Sequence, residues 1–142
     1  MIQRIQTIWL LMAAAAAFLT LKLSFYGGNL LNVETNTKTY QSLTAQSNVL
    51  LTILSAGVGL AALISIFLYK NRKLQLRIVL LSLLVSIINI VLFFVESKKY
   101  VAGEGNYDLT AAFAFAVPVF LFLAMRGIRK DEKLVKSLDR LR

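Results

Sequence analysis

Charged side chains break this sequence into long apolar stretches. Four uncharged runs, Ile5–Leu21, Val49–Tyr69, Ile78–Val95 and Leu109–Met125, measure 17, 21, 18 and 17 residues. A helix crossing the hydrocarbon of a bilayer needs about 20 apolar residues, with about 17 to 25 tolerated. A helix packed on the core of a soluble protein would be shorter and apolar on one stripe only. The pattern therefore predicts an all-α membrane protein: a four-transmembrane-helix antiparallel bundle with spans at about 5–24, 49–69, 78–96 and 109–126. A signal peptide is the competing reading of the first run. Its alanines, Ala13–Ala17, sit inside the apolar stretch, which Phe18-Leu19-Thr20-Leu21 continues, so an uncleaved span is favoured.

Between the first two runs lies the one long polar segment, 25–48. Gly27-Gly28-Asn29 reads as turn chemistry. The Thr-rich alternation Val33–Tyr40 reads as a short strand pair, so a small β-hairpin capping the bundle is expected. The second such loop, Glu96–Asp108, carries Gly103-Glu104-Gly105-Asn106 and reads as a turn.

Composition agrees with one membrane domain over residues 1–142: 58% of residues are hydrophobic and mean hydropathy is +0.69. Cysteine and histidine are both absent. That removes disulfides, thiolate chemistry, imidazole bases and Cys/His metal sites. Neither a catalytic residue nor a cofactor is expected, and the chain reads as a non-enzyme.

Charge sets the orientation. With four spans both ends share a side, together with the loop 70–77. That side holds twelve basic residues and three acids; the other holds four of each. Loops rich in Lys and Arg stay cytoplasmic. The expected location is the bacterial inner membrane, multi-pass, with N- and C-termini cytoplasmic and the whole net charge of +9 inside. Trp9 and Tyr69 fall near inner span ends, and Tyr26, Tyr100 and Tyr107 near outer ones, where amphipathic rings settle. The basic excess is thereby explained by topology. With no aromatics interleaved for base stacking, nucleic acid is not an expected partner.

Helices in lipid associate through small residues and interhelical hydrogen bonds. Ser55 and Gly59 of the second span form a small-x-x-x-small pair, and Ser82, Ser86 and Asn89 share a face of the third. The short loop between these spans makes them a hairpin, so the two faces are expected to meet. Asn89 is the most polar residue within any span and reads as an interhelical tie ahead of a substrate ligand. Pro118 predicts a bend in the fourth span, because it removes the donor to the Ala114 carbonyl.

The tail 127–142 projects as a basic amphipathic helix. Leu134, Val135, Leu138 and Leu141 lie on one side, and Arg129, Lys133, Lys136 and Arg140 on the other. With Gly127 as a hinge it can lie on anionic lipid headgroups, or dock on an unidentified membrane or cytoplasmic protein or on the chain's own loop. Lys70, Arg72, Lys73 and Arg77 of that loop are the matching contact residues. The plainer alternative is a straight continuation of the fourth span.

Three segments, MIQRIQTIWLL, LYKNRKLQLRI and RGIRKDEKLVKSLDRLR, together resemble a family of small four-helix inner-membrane proteins of Bacteroidota, known as a domain of unknown function. The resemblance covers the whole chain, and IRKDEKLV is its most specific part. It implies an integral inner-membrane protein of a Gram-negative bacterium and a function on the cytoplasmic face. It implies no activity and no catalytic or binding residues.

Two functions remain. The first is a scaffold or small accessory subunit acting through the basic loop and tail. The alternative is an oligomeric small-solute or ion transporter or channel, with Ser82, Ser86 and Asn89 lining a pore and Pro118 gating it. The spans hold no ionisable group of the kind that coupled carriers place there.

Overall fold

The computed structural model describes residues 2–142, with side chains from Ile5 onward. Helix α1 spans Ile2–Leu19, and strands β1 (Tyr26–Asn32) and β2 (Thr37–Leu43) follow. Helix α2 spans Val49–Phe67, α3 Arg72–Ser97 and α4 Ala111–Arg140, with the two-residue strand β3, Asn106–Tyr107, between the last two. The protein is mostly helical. A turn of 3-10 helix extends α2 to Lys70, and the segments Val49–Lys70, Arg72–Ser97 and Ala111–Arg140 are long and apolar enough to cross a membrane. Helix α1, at 18 residues, is the shortest of the four; it rises about 27 Å at 1.5 Å per residue.

The polarity of α3 is inverted relative to a water-soluble helix. Its buried stripe is Gln75, Val79, Ser82, Ser86, Asn89, Phe93 and Ser97. Its outward face carries Leu81, Leu84, Ile88, Val91 and Val95. Water would favour the opposite arrangement, since buried polar groups cost free energy and exposed Leu and Ile gain none. A hydrocarbon solvent favours this one, because interhelical contact then depends on small and polar groups. Asn48 and Asn71 cap α2 and α3, accepting from Leu50 N and Leu74 N.

Among the described residues, one sheet of order β2-β1-β3 closes one end of the bundle. The hairpin is longer than the sequence suggests, and its turn lies elsewhere. Tyr26 pairs with Leu43 and Asn32 with Thr37, so Val33–Asn36 form the turn, with Asn36 at φ 52°. Asparagine tolerates that left-handed backbone better than most residues. The expected turn Gly27-Gly28-Asn29 lies instead within the first half of β1. A Cβ on Gly27 would strike the Tyr40 hydroxyl, and one on Gly28 would lie 3.2 Å from ring atoms of Tyr26 and Tyr100. The glycines are flat strand surface beneath tyrosine rings. The second loop is likewise more than a turn, because Asn106–Tyr107 pair with β1.

A second correction concerns the tail. Helix α4 runs unbroken through Gly127, which is therefore no hinge. Its buried positions Ala114, Val117, Leu121, Ala124, Ile128 and Asp131 recur every three and four residues. That stripe carries α4 along its neighbours beyond the last apolar run.

Candidate functional site

The charged end of the bundle gathers the residues expected to make contacts. The end of α2 and the start of α3 supply Tyr69, Lys70, Arg72 and Lys73; α4 supplies Glu132, Val135 and Lys136. Together they line an open groove of about 510 Å³. Its position follows from local structure. Asn71 accepts from Leu74 N and so starts α3 directly after α2. Gln75, one turn on, donates to the Ser65 carbonyl at 2.9 Å and ties the two helix ends together.

Helix α4 is fixed against this end by two further bonds. Gln6 Nε2 of α1 donates to Asp131 Oδ2 at 2.7 Å, and both residues are buried. Arg72 Nη1 donates to the Asp131 carbonyl at 3.3 Å. Gly127 permits the approach of α1, because a Cβ there would lie 2.9 Å from Gln6 Cγ. Within the groove Lys136 Nζ pairs with Glu132 Oε1 at 2.9 Å, one helical turn apart. That hydrogen bond, with the charges of Lys136, Lys73 and Arg72, holds the Glu132 carboxyl below its ordinary value. Four cations thus face one carboxylate, and the groove carries net positive charge.

Elsewhere on α4, Arg126, Arg129, Lys130 and Lys133 line a second depression of about 330 Å³ together with Phe122 and Met125. Arg77 and Arg140 are exposed and line neither groove. Leu134, Leu138 and Leu141 are exposed, Leu141 at 85%. The side chain of Arg4 lies outside the described residues.

The expected meeting of α2 and α3 is partly realised. Asn89 Nδ2 donates to Ser55 Oγ at 2.8 Å in the buried seam. Ser82 and Ser86 are buried there and bond back to the carbonyls of Ile78 and Leu83. Gly59 faces the other neighbour: a Cβ would lie 2.9 Å from the Phe18 ring of α1. Ser55 therefore serves α3 and Gly59 serves α1, one turn apart on a buried face. Trp9 also lies in a seam, stacked on Phe120 of α4 with centroids 5.9 Å apart.

At the sheet end, Phe25 stacks on Phe93 at 4.6 Å and meets Phe94 and Tyr107 edge-on. Lys38 pairs with Glu104, which also accepts from Asn29 Nδ2 at 3.2 Å. The Lys38 hydrogen bond, then that from Asn29, lowers the Glu104 pKa.

The sequence reading missed Gln6, Gln75 and Asp131, which hold the charged end together. A usable signal existed for Asp131: the three-four spacing from Ala114 places it on the buried stripe. Among the described residues, no group of three or more His, Cys, Asp or Glu side chains could hold a metal ion.

These features define a helical membrane protein with a sheet at one end and a basic groove at the other. Residues 2–141 match the family model described as Domain of unknown function (DUF4293), and the chain belongs to that family. No curated protein and no solved structure matches it.

Proposed function

We propose that this is a four-span inner-membrane protein with both termini cytoplasmic, acting as a non-catalytic scaffold or small accessory subunit through its basic loop and tail. The observation that carries the reading is the groove at the charged end. There the α2–α3 junction and α4 form one surface, with Leu134, Leu138 and Leu141 projecting beyond it. Positive charge at this end supports a cytoplasmic placement. It also supports contact with anionic headgroups, worth about 1 kcal/mol per basic residue near the surface. The exposed leucines support a protein partner as well as lipid.

Crossing by α1 is supported by its continuation past Leu19, where Leu23 N still donates to the Leu19 carbonyl at 2.9 Å. Transport is the second reading. Asn89 favours it, as a buried amide whose oxygen has no partner among the described residues. The space beside it, about 10 Å³, is too small for a path through one copy.

The test compares the intact chain with the triple variant Leu134→Ser, Leu138→Ser, Leu141→Ser after purification from native membranes in mild detergent. A defined set of proteins should accompany the first and be lost from the second. Unchanged association would refute the role of the tail. Because the chain has no cysteine, orientation can be read from single cysteines at Thr35 and Ser137. An impermeant maleimide added from the periplasm should label the first alone.

A further inference from the structure

All four helical segments border one small, partly open enclosure in the bundle, lined by four polar side chains and by Ala17, Val58, Ala114 and Val117. Thr20 lies just past α1, Ser55 on α2, Ser86 and Asn89 on α3, and Ala114 on α4; the volume is about 10 Å³. The hydrogen-bond inventory around it is unbalanced. Asn89 is 8% exposed, and its Nδ2 is satisfied by Ser55. Its Oδ1 has no partner among the described residues. Turning the amide over would exchange which end is orphaned without removing the orphan.

The hydroxyls of Thr20 and Ser86 do not supply the missing donor. Thr20 Oγ1 gives its hydrogen to the Ala17 carbonyl at 2.6 Å, and Ser86 Oγ gives its own to the Leu83 carbonyl at 2.7 Å. Each keeps lone pairs. On α4, Pro118 has no N–H to offer the carbonyl of Ala114, which is one of the lining residues. The Asn89 oxygen is thus a buried acceptor with no donor among the described residues, and an unpaired buried polar atom is costly.

We infer that this enclosure is a binding site for one structural water, which donates to Asn89 Oδ1 and joins the helices around it. A volume of about one water-sized sphere, with two to four polar partners, is what such a site requires. The molecule needed must bring two hydrogens and accept one bond, which Ser55 Oγ can give. A monovalent cation would meet only neutral oxygens, with no carboxylate to offset its desolvation. Asn89 then acts as a junction between helices and not as a transport ligand.

The test is an experimental structure of the full chain in lipid, at a resolution where other ordered waters are visible, determined once in sodium and once in choline buffer. One density peak should lie within hydrogen-bonding distance of Asn89 Oδ1 and of a Thr20, Ser55 or Ser86 hydroxyl, equally in both. Absence of the peak, or a peak present only with sodium, overturns the inference. In Asn89→Leu the peak should vanish; its persistence there would also overturn it. Should that variant not fold, the two wild-type structures decide alone.

Discussion

Gln6 and Asp131, 125 positions apart, are joined by a buried 2.7 Å hydrogen bond that ties the first helix to the last at the charged end of the bundle. The contact depends on Gly127, over which the Gln6 side chain lies. Bulk at this position must push α1 from α4. Gly127→Leu should therefore destabilise the protein by about 1–3 kcal/mol through overpacking, read as a lowered thermal midpoint in detergent. An unchanged midpoint would mean that the two helices do not meet there.

Removing the donor gives a separate check. Gln6→Leu keeps the approximate volume and leaves the Asp131 carboxyl without it. A buried acceptor stripped of its partner costs about 1–3 kcal/mol. Asp131→Leu in the same background should recover part of that loss, because no orphan then remains. Additive losses in the double variant would deny the bond.

Gly59 poses the same problem at the α1–α2 seam, where Phe18 occupies the space a side chain would need. Gly59→Leu should cost about 1–3 kcal/mol. Adding Phe18→Ala should relieve part of it. Absence of coupling in this double-mutant cycle would place Phe18 elsewhere.

Ser55→Ala removes the acceptor for Asn89 Nδ2 in the α2–α3 seam. Interhelical hydrogen bonds of this kind are worth about 0.6–2 kcal/mol, and a loss in that range is expected in an unfolding titration. Ser82→Ala is the control, since the Ser82 hydroxyl donates to the Ile78 carbonyl of its own helix; its effect should be smaller.

The sheet end should respond to acid. Because Glu104 is held below its ordinary value of 4.5 by Lys38 and Asn29, its contribution to stability is full above that value. It is lost as pH falls through the lowered folded value. The Asn29 side-chain amide resonance should follow this titration, with a midpoint below 4.5. A midpoint at or above 4.5 would show that the ion pair is not formed.

The linear sequence was enough to locate four apolar helices, the charge imbalance between the ends and a hairpin after the first run. Each depends on local quantities: how far an uncharged run extends, where Lys and Arg accumulate, how polar residues alternate. It also singled out Asn89 as an interhelical tie, because an amide within an apolar run needs a partner wherever it lies; in the folded chain its Nδ2 donates to Ser55 Oγ. The glycines were misread for a physical reason. Gly27 and Gly28 look like turn residues when only backbone freedom is considered, whereas here they serve by lacking a Cβ beneath Tyr40, Tyr26 and Tyr100. Gly127 looked like a hinge and is a point of helix contact. Only the folded chain decided which neighbour each small residue faces, that the tail continues α4, and that Gln6 reaches Asp131. Those outcomes depend on approaches between segments up to 125 residues apart, and side-chain periodicity along one helix says which face is buried but not what lies against it.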